Sequence, residues 1–270
     1  MSLIKFPRTR HIEGSRLQKG DMSDDKPLGE LAGMDIVVEE KVDGANSGIS
    51  FDGDGILRLQ SRGEYLTGGG RERHFDQFKT WAFTHSARLW PVLGSRHVMY
   101  GEWMYAKHTV FYDQLPHYFL EFDVWDRERQ VFLSTGARRA LLQGLPVMPV
   151  PVLHHGPLKD VAQLQALVKP SLYKSPDWRD ALLLAAEGSG NRADMVEKQT
   201  ELSDLAEGVY LKQEQDGIVV DRFKFVRSDF VQAIEASDGH WQDRPILPNG
   251  LADGVDIYAE RLGLDDSYDA

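Results

Sequence analysis

Residues 36–51 constrain this chain more than any other stretch: Ile36-Val37-Val38-Glu39-Glu40-Lys41-Val42-Asp43-Gly44-Ala45-Asn46-Ser47-Gly48-Ile49-Ser50-Phe51. A short, largely apolar run ends on Lys41, a tight polar turn follows, and a second short strand begins. Gly44 lets the backbone turn sharply or come close to a ligand. A lysine at a strand end is aimed rather than floppy. It becomes a nucleophile only when its ammonium loses a proton, and nearby cations or partial burial favour that by lowering a pKa of ordinarily about 10.4. Taken alone, Lys41-Val42-Asp43-Gly44 is equally the tip of a hairpin carrying a solvated lysine. Residues further along decide between the two.

The rest of the chain mixes strand and helix patterns. Asp52-Gly53-Asp54-Gly55 is a strong hairpin signal, and the strand after it ends near Arg62. Gly68-Gly69-Gly70 reads as a loop, without the spacing or lysine of a phosphate-binding glycine motif. Phe75, Phe78, Trp81, Ala82 and Leu89 share one helical face, which predicts core packing. Strands are expected over 98–105 and 117–125, with a polar and aromatic loop between them. A helix over 132 to about 143 opens at Ser134 or Thr135. A proline-rich extended connector covers 146–157. Helical patterns follow at 158–169, 178–187 and 194–205, then strands at 209–212, 217–220 and 223–226. Further helices are expected over 229–236 and 255–262.

A length of 270 residues allows one large domain, or one with a small companion. The absence of cysteine excludes disulfides, thiolate catalysis and Cys-ligated zinc. No apolar run is long enough to cross a membrane, and the first residues carry no signal-peptide core. The expectation is therefore a cytoplasmic protein with no membrane partner. A formal net charge of -11 at first argues against nucleic acid. Beyond Arg227, however, ten acidic residues face only two basic ones, so most of that charge belongs to the C-terminal tail. Arg8, Arg10, His11, Arg16 and Lys19 make the first thirty residues basic, either as a solvated arm or as a strap on phosphates.

Several stations join Lys41 in order. Arg62 follows a strand. Glu102 ends one in Tyr100-Gly101-Glu102-Trp103, and Phe122-Asp123 ends another. Glu207-Gly208-Val209-Tyr210-Leu211-Lys212 precedes Arg222-Phe223-Lys224 by a short turn. Each is bland alone. Together, from about 36 to 227, they resemble the covalent nucleotidyltransferases, and most closely the ATP-dependent RNA ligases of phage and trypanosome editing type. Lys41-Val42-Asp43-Gly44 matches the nucleophile motif, Glu102 the ribose-contacting glutamate, and Phe122 the adenine-stacking position. Glu207 to Lys212 matches Glu-Gly-x-x-x-Lys, and Arg222-Phe223-Lys224 the closing basic motif. Asn46 matches a position tied to the substrate 5′-phosphate. One departure is Arg222, where the related phage enzymes usually carry lysine.

The resemblance implies an α+β, ATP-grasp-like adenylation domain over 1–230, with antiparallel sheets flanked by helices. Residues 231–270 would be a short acidic, partly helical extension. It implies a ligase joining RNA 5′-phosphate and 3′-hydroxyl ends through lysyl-AMP, with ATP and magnesium, manganese being a possible substitute, and a monomer expected. Lys41 would be the nucleophile. Lys212, Arg222 and Lys224 would surround the α-phosphate and favour deprotonation of Lys41. Glu40, Arg62, Glu102, Phe122 and Glu207 would help to bind the nucleotide, Glu40 through a backbone contact beside Lys41. Glu207 and Asp123 would hold the metal. Asn46, Arg62 and Arg16 would meet the RNA, with Tyr105, His108, Phe111 and Tyr112 as candidate base platforms. Loop packing is the stronger reading of that aromatic group. A DNA ligase or a guanylyl-transferring capping enzyme is the competing catalytic reading. A binding module that has lost catalysis is the non-enzymatic one.

Overall fold

The computed structural model describes residues 2–17, 25–236 and 244–260. Its twelve strands are β1 (Arg10–Ile12), β2 (Asp25–Lys26), β3 (Ile36–Lys41), β4 (Ala45–Phe51), β5 (Leu57–Ser61), β6 (His97–Trp103), β7 (Phe119–Asp126), β8 (Val131–Leu133), β9 (Met148–Pro149), β10 (Val152–His155), β11 (Gly208–Gln215) and β12 (Ile218–Val226). The helices are α1 (Asp76–Thr84), α2 (Ser86–Leu93), α3 (Thr135–Leu142), α4 (Val161–Ala166), α5 (Trp178–Gly188), α6 (Ala193–Lys198) and α7 (Ser228–Ala236). This is the expected α+β arrangement, antiparallel along its main path. Among the described residues no helix is long and apolar enough to cross a membrane.

The strand order β10-β3-β11-β12-β8-β7-β6-β4-β5 carries the main surprise. β3 and β4 are joined by three residues yet never pair. β3 lies between β10 and β11, whereas β4 lies between β5 and β6. The turn after Lys41 is therefore a crossing between two halves of the sheet, and the hairpin reading fails. The halves meet at a narrow waist, where β12 and short β8 share only Ile218↔Leu133 and Val219↔Phe132.

Alternation along β3, β11 and β12 sorts residues by face. Ile36, Val38, Val209, Leu211, Phe223 and Phe225 bury one face against Leu158 and Leu164. The other face presents Glu39 and Lys41, Tyr210 and Lys212, Arg222 and Lys224. The second half packs its core on α1 and α2, where Phe78, Trp81, Ala82 and Leu89 are buried as expected. The helix break at His85 divides the single predicted helix in two. Ser134 caps α3 by accepting from Ala137 N, so Phe132 falls in β8 instead of the helix. The connector over 146–157 supplies β9 and β10.

Two motif glycines serve strand packing. A Cβ on Gly44 would come within 2.5 Å of Met104 Sδ, and one on Gly208 within 1.9 Å of Phe225 O. Gly44 thus permits close approach to β6, with no need of a left-handed turn. At Gly208 the obstacle is backbone of the paired strand, which cannot swing aside. Gly208→Ala is expected to cost about 3 kcal/mol of unfolding free energy by overpacking. Denaturant unfolding measures this, and a loss below about 1 kcal/mol would contradict the tight packing.

The described C-terminal residues dock on the same core. Phe230, Val231 and Ile257 are buried in it. Asn249 Nδ2 donates to Met104 O at 2.6 Å, and its Oδ1 accepts from Tyr112 N at 3.0 Å. Residues 255–260 carry a turn at 257–258 and no helix, against the expectation, and the last two positions of the helix expected over 255–262 lie outside the described residues. Lys19 lies outside them too.

Candidate active site

A cavity opens between the two halves. Lys41, Val42, Asn46, Arg62, Glu102 and Phe122 line it, with Tyr210 and Lys224 from the neighbouring hairpin. Cross-strand register assembles it: Asn46 pairs with Glu102, Lys41 with Gly208, and Tyr210 with Lys224. Lys41, Arg62, Glu102, Phe122 and Lys224, chosen from distant segments, thus meet at one wall.

Lys41 Nζ donates to Glu207 Oε2 at 2.7 Å. Burial favours the neutral amine, but Glu207, Glu102 and Asp43 together outweigh it and hold the Lys41 pKa above its ordinary value. The depression expected from neighbouring cations is therefore not found. Burial pushes Glu207 up to about 7 against the pull of Lys41, and pushes Glu102 up to about 8. Glu102 Oε2 is buried without a hydrogen bond, an acceptor that a bound hydroxyl would satisfy. Asp43 holds the crossing turn, accepting from Thr109 N at 2.7 Å and Val110 N at 2.8 Å.

Lys212, Arg222 and Asp123, expected at the site, lie elsewhere. Lys212 and Arg222 stand four residues along their strands from the level of Lys41, about 13 Å at strand rise. Both belong to a buried ion cluster. Lys212 Nζ is 2.8 Å from Glu39 and 3.4 Å from Asp123, and it donates to Phe122 O. Arg222 is 3.7 Å from Asp123, and Arg138 binds both Glu39 and Glu121. Asp123, fully buried and facing two cations, is not positioned as a metal ligand of the cavity. Lys212 instead fixes the backbone of Phe122. The guanidinium of Arg222 lies 3.7 Å from the Phe132 ring centroid and 5.1 Å from that of Phe6. A planar cation suits that stacking better than an ammonium, which accounts for arginine here.

Glu40 lines the cavity, but alternation turns its carboxylate away, to accept from Ser171 Oγ at 2.5 Å. Burial pushes it up to about 7. Arg16 is exposed and does not line the cavity. Arg10 pairs with Asp221 and lies over Phe223, so the basic arm is docked on β12. Phe111 and Tyr112 are buried in hydrophobic clusters, Tyr105 packs on Tyr118, and His108 is buried near Asp43, as loop packing requires.

The sequence reading missed Phe6, Thr9, Glu39 and Tyr210, all on the cavity wall. Thr9 Oγ1 and Tyr210 Oη are 2.5 Å apart, and Phe6 meets the Phe122 ring edge-on at 5.1 Å. Alternation placed Glu39 and Tyr210 beside Lys41 and Lys224. No pattern in the N-terminal arm announced Phe6. Among the described residues no cluster of three or more His, Asp or Glu could cage a metal ion.

A family model for RNA ligases matches residues 34–226. No curated protein sequence matches the chain. Solved structures of Naegleria gruberi RNA ligase are similar to it. A mutant with ATP and manganese has 17% identity and a TM-score of 0.51, covering 83% of this chain and 61% of that one. A mutant with AMP and manganese has 17% identity and 0.52, covering 85% and 62%. The form with pyrophosphate has 17% identity and 0.53, covering 87% and 64%. The chain thus spans less than two thirds of these relatives, and at such identity the likeness is one of fold.

Proposed function

Because this chain belongs to the RNA ligase family, we propose that it joins RNA 5′-phosphate and 3′-hydroxyl ends at the expense of ATP. The carrying observation is the Lys41–Glu207 contact of 2.7 Å at a cavity walled by Glu102, Phe122 and Lys224. Lys41 Nζ attacks the α-phosphorus of ATP. The N–P bond forms, the bond to pyrophosphate breaks, and the amine proton passes to Glu207. An oxygen of the RNA 5′-phosphate then takes the adenylyl group, and Lys41 recovers its proton. Attack by the 3′-hydroxyl on the activated end releases AMP. Splitting the reaction at lysyl-AMP lowers each barrier.

The residues present support each role. Phe122, pinned by Lys212 and Phe6, offers its face to adenine. The orphaned Glu102 Oε2 accepts from a ribose hydroxyl. Lys224 is the closing-motif cation on the cavity wall and steadies the α-phosphate. Arg62 and Asn46 receive the RNA 5′-phosphate. Magnesium or manganese fits as a hard ion that the Glu207 carboxylate would help to hold when nucleotide is bound. Such an ion supplies charge neutralisation of the phosphates.

The test uses α-labelled ATP, the divalent ion, and 5′-phosphorylated RNA. Label should appear on the protein, move to the RNA, and leave as AMP when ends join. No label on protein sinks the reading. Preference for GTP would make it a capping enzyme, and sealing confined to duplex DNA nicks a DNA ligase.

A further inference from the structure

Behind the nucleophile turn lies a second cavity, of about 300 Å³, between the loop after β6, α6 and the segment 244–247. Lys107, His108, Arg192 and Arg244 line it, and among the described residues no carboxylate does. The nucleotide cavity differs, since Glu39, Glu40 and Glu102 share its wall with Lys41, Arg62 and Lys224.

The cations are held by the fold. Lys107 is buried, and its Nζ donates to Gln199 O at 2.8 Å and His108 O at 3.1 Å. An ammonium has three donors, so one is left for an occupant. Burial lowers Lys107 to about 7, with Asp43 acting the other way. An anion in the cavity would keep it charged. Arg244 Nη1 donates to His108 O at 3.4 Å. Arg192 stands exposed at the rim and shares its guanidinium with Asp194, an exposed pair of little worth that an incoming phosphate can displace. His108 Nδ1 is 3.8 Å from Asp43 Oδ1, so this cavity and the Lys41 turn share a wall.

We propose that this cavity is a phosphodiester subsite, taking a backbone phosphate of the RNA strand away from the reacting end and setting the strand's path past Lys41. The inference rests on the RNA ligase reading. Two guanidinium forks and an ammonium match phosphate oxygens without reading bases. Lysyl-AMP forms without RNA, so the subsite acts on the later steps alone. Pyrophosphate, the product of the first step, offers similar chemistry and is the competing source.

Full-length protein and the Arg192→Gln/Arg244→Gln variant are titrated with labelled 5′-phosphorylated single-stranded RNA over a range of salt. Loss of two contacts should weaken binding about tenfold and flatten the slope of log affinity against log salt by about 1.4, at about 0.7 per contact. Arg192→Gln alone, a surface change that leaves the fold in place, should give about half that change in slope. An unchanged slope overturns the proposal. Pyrophosphate binding that weakens in the variant while the RNA slope stays fixed also overturns it, in favour of a free-anion site. RNA-free labelling of the wild-type protein is read in parallel. Absent labelling with a reduced RNA slope would sink the ligase reading and leave the subsite standing.

Discussion

Lys41→Arg is expected to abolish lysyl-AMP formation, by about ten-thousandfold or more, while the protein stays folded. Arginine keeps the positive charge and can still pair with Glu207, so the buried carboxylate is not stranded. Its guanidinium stays protonated at any accessible pH and offers no lone pair to phosphorus. Alanine would also stop the reaction but would leave Glu207 unpaired, mixing lost chemistry with lost stability. Two measurements separate the effects. Thermal unfolding should stay close to wild type, and labelling from α-labelled ATP should vanish. RNA supplied already adenylylated should still be sealed, because that last step needs no lysine nucleophile. Labelling of the arginine variant would show that another side chain carries the adenylate.

What the sequence disclosed follows from what each pattern encodes. Alternation in Val209-Tyr210-Leu211-Lys212 and Phe223-Lys224-Phe225 fixes which side chains share a face, and the structure keeps that sorting. Pairing between remote strands is not encoded locally. Nothing in residues 36–51 shows that β3 and β4 lie in different halves of the sheet, since a three-residue link serves a hairpin and a crossing equally. Lys212 fails for a related reason. Its motif spacing is correct, but distance along the strand and the charges of Glu39 and Asp123 draw it beneath Phe122. Phe6 was invisible because only tertiary packing brings an otherwise basic arm against the Phe122 ring.

Glu207→Gln carries the second large effect, and its pH dependence distinguishes two roles for that carboxylate. In the wild type the Lys41 pKa is raised, so the neutral amine is scarce at neutral pH. Above pH about 7, where Glu207 is ionised, the rate of lysyl-AMP formation should climb about tenfold per pH unit up to the Lys41 pKa, then level off. Glutamine keeps the size of the side chain but removes the negative charge, which is the largest attraction opposing burial of the amine. The Lys41 pKa must then fall, and the inflection of the rate profile should move to lower pH. The plateau should drop by about a hundred- to a thousandfold, because the proposed proton acceptor at 2.7 Å and the carboxylate proposed to hold the divalent ion would both be gone. Single-turnover labelling across pH reads both quantities. A lower plateau with an unmoved inflection would make Glu207 a scaffold for the cavity, with no electrostatic hold on Lys41. A moved inflection with an undiminished plateau would mean that the amine proton leaves by another route.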